Sequence, residues 1–412
     1  MKVVRCGKLI DGHGVLAIEN ALIVIDGSRI VRVGSEDSVD LPQGGFEELD
    51  CSKMTVLPGL IDTHLHLALG PGSNYDEMFQ CSDGLQLSSG IVNAQMTLDS
   101  GVTTVRDCGC RNRVMLDMRA AEQRGIISAP RLLVSGPPIT MTGGHFHFCN
   151  GEADGSEAVR RLTRQLLKNG VDFIKLMASG GGTSTTRREL PSYTAEELKA
   201  AVEETHRQGR TAAAHCHATE AIVNAVEAGV DTIEHCTFLE PDGKGRRHVF
   251  REDLAAEMAR KGIYADNVLV TMADRERLEW SFENFRRLRK AGVKVLPGTD
   301  GLRLYETAGL ALVLEMMVRA GASPMEAVLS ATNLAAKALN VDTVVGALEV
   351  GKEADLIAVQ GDPLEDIHVL RTPKLVMKAG NTVPPSGRRE ARQSADALAQ
   401  KVLSVLDESG IS

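Results

Sequence analysis

The sequence lacks a long basic stretch, a long apolar run and a leader-like start. Its formal net charge is -9, and phosphate binding needs a basic face, so nucleic acid is not an expected partner. No apolar run approaches the ~18 residues of a spanning helix, which excludes a membrane partner. The first residues, MKVVRCGKLI, lack the apolar region and the cleavage site of a signal peptide.

The eight cysteines have neither zinc-finger nor Cys-x-x-Cys spacing, which fits reduced thiols in a reducing compartment. A hydrophobic fraction of 43% and a charged fraction of 25% are typical of a globular protein. We therefore expect a cytoplasmic protein.

The pattern of predicted secondary structure changes near Gly59. Before it, residues 21–34 form two β-rich runs around Asp26-Gly27, a hairpin signal, within a small all-β unit. After it, short β-rich runs alternate with helical stretches, and Thr194 with Glu197 forms a predicted capping box. The runs are Val56–Leu67, Thr103–Cys108, Arg131–Ser135, Phe173–Ser179, Thr211–His217, Thr232–Cys236, Tyr264–Leu269 and Val293–Thr299. Eight strand-helix units are what a closed parallel barrel requires, so the sequence predicts an α/β protein with a (β/α)8 TIM barrel over residues 58–345.

Catalytic residues of such a barrel lie at the C-terminal ends of its strands. Alternation along a strand puts His64 and His66 on one face of the first run, and His215 and His217 on one face of the fifth. The sixth run ends in His235, and the eighth ends in Asp300. Lys175 faces the interior of the fourth run, where a lysine is costly unless it is paired, neutralised or chemically changed. Five strands thus bring metal-capable groups to one rim.

This set, with PGLIDTHLH, resembles the amidohydrolase superfamily, in particular its binuclear members with a carboxylated lysine. The segments GGHFHF, GEADG and AHCHATEAI are most similar to the group of Xaa-Pro dipeptidases and imidazolonepropionase-like proteins. The resemblance implies two divalent metal ions held by His64, His66, Lys175, His215, His235 and Asp300, with N-carboxylated Lys175 as the bridge. The choice of His215 over His217 depends on the resemblance alone. Zn, Co, Mn and Fe all accept such ligands, and we expect Zn.

The resemblance also implies that residues 346–383 return to complete a small β-sandwich begun by residues 1–57. Residues 384–412 follow as a tail with apolar residues at helical spacing. The tail could pack on the barrel or on a second subunit, and we expect a homo-oligomer.

Two metals would lower the pKa of a bridging water and polarise a scissile carbonyl. Asp300 would then take the proton and pass it to the leaving amine, which is amide hydrolysis of a dipeptide or an N-acyl amino acid. Small amides, ureas and carbamates remain an alternative substrate class. A deaminase would need a glutamate closer to His215 than Glu220, and a non-catalytic binding protein would show gaps in the ligand set.

Substrate contacts are expected from loops after the strands. His145, more than His147, could hold a carbonyl oxygen, and His217 becomes a substrate contact if His215 binds metal. Arg187, beside Arg188, could bind a substrate carboxylate. Arg106 and Asp107, at the end of the second run, are expected to form an internal ion pair.

Overall fold

The structure is a computed structural model that describes residues 1–68, 81–243, 245–266, 275–301 and 309–385. Strands from both ends of the chain join in one mixed seven-stranded sheet with the order β16-β15-β14-β4-β1-β2-β3. These strands are β1 (Lys2–Leu9), β2 (Ile18–Asp26), β3 (Arg29–Ser35), β4 (Glu47–Pro58), β14 (Leu356–Val359), β15 (Leu375–Lys378) and β16 (Asn381–Thr382). The predicted hairpin at Asp26-Gly27 is confirmed, because β2 and β3 pair antiparallel around it.

The middle of the chain forms two sheets of parallel strands. One sheet has the order β5-β6-β7, and the other has the order β13-β12-β10-β9-β8, with β11 antiparallel to β10. Their bounds are β5 (Leu60–Leu65), β6 (Val102–Asp107), β7 (Arg131–Val134), β8 (Phe173–Met177), β9 (Thr211–Ala218), β10 (Thr232–Pro241), β11 (Arg246–His248), β12 (Tyr264–Asp266) and β13 (Val295–Leu296). The predicted parallel α/β alternation is confirmed.

Hydrogen bonds link the outer strands of these two sheets at both ends. Thr63 in β5 donates its backbone N–H to Pro297, just past β13, at 3.2 Å. Ile139, just past β7, donates to Lys175 in β8 at 2.9 Å and accepts from Met177 at 2.8 Å. Within the described residues, the C-terminal ends of the eight parallel strands consequently lie on the same side of the molecule.

Helices follow the parallel strands in order. They are α1 (Asp83–Asp99), α2 (Val114–Gln123), α3 (Ser156–Lys168), α4 (Ala195–Arg207), α5 (Thr219–Ala228), α6 (Glu252–Lys261), α7 (Arg275–Lys290), α8 (Leu310–Arg319), α9 (Pro324–Ser330) and α10 (Asn333–Ala338). Short 3-10 turns span His147–Cys149 and Ile367–Arg371. The capping box of Thr194 and Glu197 is confirmed at the start of α4, where it satisfies helix N–H groups that have no partner inside the helix.

The largest hydrophobic core lies between the parallel strands and these helices. Every residue of β5, β6 and β8 is buried, as expected for strands that are covered on both faces. A polar side chain on such a strand needs a partner inside the protein. The polar side chains at the ends of these strands therefore need such partners.

The predicted helical tail over residues 384–412 lies outside the described residues from position 386 onward, as do residues 267–269 of the seventh predicted run. Among the described residues, no helix combines the length and apolar composition needed to cross a bilayer.

Candidate metal centre

The first strand and the last parallel strand deliver three polar side chains to one point. The Nε2 atoms of His64 and His66, at the end of β5, lie 3.4 and 3.6 Å from Oδ1 of Asp300. Asp300 follows β13, and its backbone N–H donates to the carbonyl of His64 at 2.7 Å. This backbone bond holds the end of β13 against the end of β5 and brings the carboxylate to the two imidazoles.

Lys175 lies inside the protein, as predicted from its place in β8. Its side chain is buried, and its Nζ atom lies 3.4 Å from Nε2 of His64. Within the described residues, no carboxylate oxygen comes within 4.0 Å of Nζ. Its charge nevertheless acts on two buried acids, since it favours the ionised forms of Asp300 and Glu234 and opposes the rise that burial gives their pKa values.

Three further histidines come from the adjacent strands β9 and β10. One ring nitrogen from each of His215, His217 and His235 lies within 4.8 Å of the other two. Nitrogens of His64 and His235 and an oxygen of Asp300 meet the same limit. His235 belongs to both groups, so the two clusters are contiguous.

Burial favours the neutral form of the histidines in this cluster, which is the form that binds metal. Burial, reinforced by the positive charge of Lys175, lowers the pKa of His64 to about 4. Burial also lowers the pKa values of His66, His215, His217 and His235 well below the usual value. Neutral imidazoles keep a lone pair for a metal ion. For Asp300, burial raises the pKa to about 7, against the lowering effect of Lys175.

The donor set fits divalent metal ions. Buried neutral imidazoles and a carboxylate surround one small region, and the charge of a metal would favour the ionised form of Asp300. All six predicted ligands, His64, His66, Lys175, His215, His235 and Asp300, are buried at this end of the strands.

A group of charged residues missed by the sequence reasoning lies beneath the histidines. Oε2 of Glu234 and Oδ2 of Asp266 each lie 3.2 Å from Nδ1 of His64. Arg106 pairs with Glu234 at 2.6 Å, so the predicted ion pair of Arg106 with Asp107 is wrong. Asp107 instead accepts backbone N–H groups from Leu67 and Gly109. Side-chain alternation assigns the two to opposite faces of β6, a signal that could have excluded their pairing.

Two of the predicted substrate contacts, His145 and His217, lie beside the histidine cluster. His145 is buried, its Nδ1 lies 2.8 Å from Oγ1 of Thr183, and its ring lies 4.6 Å from that of His215. His217 has its Nδ1 2.9 Å from Oγ1 of Thr237, and its ring stacks on His235 at 4.6 Å. His145 and His217 thus lie with the cluster.

Arg187 and Arg188 differ in exposure and in hydrogen-bond partner. Arg187 pairs with Glu189 at 2.6 Å, and its side chain is 61% exposed. Arg188 is half-buried, and its Nε donates to the carbonyl of Gly181 at 3.3 Å. After burial and neighbouring histidines, the charge of Arg188 is a further cause of the lowered pKa values of His145 and His217. The charge of Arg188 thus contributes to the electrostatics of the cluster.

Comparison with known proteins agrees with this geometry. The model of the amidohydrolase family matches residues 55–383. The chain belongs to the amidohydrolase family. Ochratoxinase from Aspergillus niger is 31% identical over 428 aligned positions, which cover 91% of this chain and 84% of that protein.

Solved structures place this amidohydrolase in the group expected from its motifs. A Xaa-Pro dipeptidase with bound methionine in its active site is 30% identical, with a TM-score of 0.80 over 93% of this chain and 99% of that one. A prolidase complexed with N-methylphosphonate-L-proline is 28% identical, with a TM-score of 0.83 over 93% and 100%. The predicted family is confirmed, and the protein is a hydrolase of carbon-nitrogen bonds.

Proposed function

We propose that this amidohydrolase hydrolyses the C–N acyl bond of a dipeptide or an N-acyl amino acid at a binuclear metal centre. The observation that carries the proposal is the convergence of four histidines, a buried lysine and an aspartate from five strands. The resemblance to a Xaa-Pro dipeptidase and a prolidase, at 30% and 28% identity, supports the peptide-like substrate.

The ligands would divide between two sites. His64, His66 and Asp300 would hold one metal ion, and His215 and His235 would hold the other, with Lys175 as the bridge. For that role the Lys175 amine adds to carbon dioxide and releases a proton, which gives a carbamate. The burial of Lys175 beside His64 supports this change, because a carbamate would turn a buried amine into a metal ligand. Zinc is the metal we propose.

When bound, the two metals would activate a bridging water and polarise the scissile carbonyl. Asp300 would accept the water's proton and deliver it to the leaving amine. Its Oδ1 lies 3.4 Å from Nε2 of His64 and 3.6 Å from Nε2 of His66, which supports this role. His145 would hold the carbonyl oxygen.

We propose that the substrate carries a carboxylate near Arg188 and His217. A guanidinium matches a carboxylate in charge and geometry, and the charge of the half-buried Arg188 contributes to the lowered pKa values of His145 and His217. Arg187, the candidate favoured by the sequence, would support the loop through its pair with Glu189. The proline part of the ligand in the prolidase structure also carries a carboxylate.

The proposal includes the setting of the site. The hydrogen bonds at both ends of the two parallel sheets support a closed (β/α)8 barrel over residues 58–345. The sheet built from both chain ends supports a separate small domain from residues 1–57 and 346–383. We propose a cytoplasmic homo-oligomer that acts on small molecules.

The first test is the metal content of the purified chain, prepared with bicarbonate, together with that of Lys175→Ala. We expect about two metals per chain and a sharp decrease in the variant. One metal that survives the substitution would contradict the bridged centre and favour a deaminase or a ring hydrolase. Lys199→Ala, on a helix away from the strands, controls for the loss of a lysine.

The second test compares Arg188→Gln with Arg187→Gln in hydrolysis of Xaa-Pro dipeptides and N-acyl amino acids. Loss of a charge-assisted bond costs about 1.5–3 kcal/mol, so kcat/KM should fall at least tenfold for Arg188→Gln and little for Arg187→Gln. Amides of the same acids, which lack the carboxylate, should respond little to either change. Equal loss for both substrate types would contradict carboxylate recognition, and activity only on ureas or carbamates would move the substrate to that class.

A further inference from the structure

The imidazole of His64 has two differently occupied edges. Its Nε2 faces Asp300 and Lys175, each 3.4 Å away. Its Nδ1 faces the opposite way, with Oε2 of Glu234 and Oδ2 of Asp266 both at 3.2 Å. The side chains of His64, Glu234 and Asp266 are at most 1% exposed. Bulk water therefore does not reach Nδ1, and the two carboxylates are the groups that determine whether this nitrogen carries a proton.

Glu234 is held in place from its other side. Nη2 of Arg106 pairs with Oε1 of Glu234 at 2.6 Å. The same guanidinium donates through Nε to the carbonyl of Thr63 at 2.5 Å and through Nη1 to Oγ1 of Thr232 at 3.0 Å. Arg106 thereby ties together β5, β6 and β10, three strands that supply the site. It compensates the charge of Glu234 and leaves Oε2 directed at His64.

Asp266 is held by packing. A Cβ atom built on Gly298 would lie 2.2 Å from Oδ2 of Asp266 and 2.6 Å from Cβ of His64. Only glycine leaves room for the aspartate beside the imidazole. Among the described residues, neither oxygen of Asp266 has a partner of hydrogen-bond geometry, and the same is true of Nδ1 of His64 and Oε2 of Glu234. The two carboxylates flank Nδ1 at 3.2 Å each. Buried polar groups without a partner are costly, so a proton on Nδ1 would satisfy this edge.

We propose that Glu234 and Asp266 are positioning residues that hold the Nδ1 proton of His64 and so present the Nε2 lone pair to a metal ion. Glu234 is the principal acceptor, because Arg106 orients it, and Asp266 closes the other side. A neutral imidazole carries its proton on one nitrogen only, so fixing it on Nδ1 makes Nε2 the metal-binding atom. A carboxylate behind a metal-bound histidine also raises the basicity of that ligand. The inference rests on the proposed metal centre.

The test measures zinc dissociation constants of the full chain by competition with a chromogenic chelator. Glu234→Gln and Asp266→Asn keep the side-chain shape and remove the negative charge. Loss of such a partner typically weakens metal binding about 10–100-fold, and we expect this for Glu234→Gln, with a smaller effect for Asp266→Asn. The visible spectrum of the cobalt-substituted protein should shift in the same variants, because it reports the geometry around the metal.

Asp62→Asn is the matched control. Asp62 is equally buried and accepts from the backbone N–H of His64 at 3.1 Å and from Oγ1 of Thr299 at 2.7 Å. Within the described residues, these hydrogen bonds do not involve the imidazole of His64. It should leave the zinc dissociation constant within about threefold, below the effect expected of a direct partner. Equal weakening by all three substitutions would overturn the proposal in favour of a general loss of packing.

Two results separate this inference from the function. A wild-type chain with two metals, unchanged zinc affinity in both variants and acyl-bond hydrolysis would refute the inference alone. Weakened zinc binding without hydrolysis of any acyl substrate would uphold the inference and refute the function.

A third metal per chain, lost in Glu234→Gln, would make the two acids ligands themselves and overturn the positioning role. If a variant does not fold, nitrogen-15 spectra of histidine in the wild-type zinc protein decide the question. They should show the proton of His64 on Nδ1, and a proton on Nε2 would refute the proposal.

Discussion

Two of the proposed ligands have a backbone conformation that most residues avoid. His235 has φ 65° and Asp300 has φ 59°, in the left-handed region that favours glycine. Each such residue costs on the order of 1–3 kcal/mol and persists only where its surroundings enforce it. His235 lies inside β10, where the pairing with β9 shifts register after it, and Asp300 follows β13. Both side chains belong to the cluster.

His215 and His217 are the pair that sequence alternation could not separate. The charge of Lys175 is a cause of the lowered pKa of His215, after burial and neighbouring histidines, whereas Arg188 is such a cause for His217. The assignment of His215 to a metal ion and of His217 to the substrate stays a prediction. We predict that His215→Asn loses one metal per chain and that His217→Asn keeps both but raises KM. Metal analysis and steady-state kinetics check this, and the reverse pattern would exchange the two roles.

At the scale of elements, four residues join helices α3 and α4. Glu204 of α4 accepts from Arg160 at 2.7 Å and from Arg164 and Arg207 at 2.9 Å. Its side chain is only 7% exposed, although it lies on the outer layer of helices. Hydrogen bonds from Arg164, opposed by burial and aided by Arg160, lower the pKa of Glu204 to about 2.

This shift predicts a pH-dependent contribution to stability. The pKa of Glu204 is lower in the folded than in the unfolded chain, so its contribution is complete above the unfolded value and is lost as pH falls from about 4.5 towards 2. Glu204→Gln should reduce the free energy of unfolding by about 1–2 kcal/mol at pH 7 and by clearly less at pH 3.5. Urea unfolding at both pH values measures the difference. Glu203→Gln, which changes a 42% exposed partner of Arg160, should show little effect at either pH.

At the scale of the molecule, Arg131 connects the parallel strands to the sheet formed by the chain ends. It lies in β7, donates to Oδ2 of Asp355 at 2.8 Å and pairs with Glu353. Asp355 immediately precedes β14 and is 2% exposed. The two sheets therefore share a largely buried ion-pair cluster, in which Arg131 is the cation next to the buried Asp355.

Arg131→Ala should destabilise the protein by about 3 kcal/mol, because it leaves an uncompensated buried charge. Arg29→Ala removes a second partner of Glu353, but that pair spans 3.7 Å and Arg29 is 49% exposed, so its cost should stay below about 1 kcal/mol. Urea midpoints of the two variants measure the contrast. Similar midpoints would show that the pairing at Arg131 contributes no more than a surface contact.

Much of this architecture follows from local sequence patterns. Alternating β-rich and helical runs predicted the parallel strands, Asp26-Gly27 predicted the hairpin, and Thr194 with Glu197 predicted the start of α4. These features depend on side-chain spacing and turn chemistry within a few residues, which a single sequence contains. The metal-capable residues were visible for the same reason, since His64, His215 and Asp300 end strands whose order was already apparent.

What only the tertiary structure decided is which charges meet across strands. Arg106 pairs with Glu234, 128 positions away, rather than with its neighbour Asp107, and Asp266 faces His64 because Gly298 leaves space for it. The charge of Arg188 contributes to the lowered pKa values of His145 and His217, although the sequence favoured Arg187. Such contacts depend on the distance and direction between side chains that are remote in sequence, and spacing along one strand carries no information about them. The sequence by itself thus determined the strand order and the residues able to bind metal, whereas the fold determined their partners.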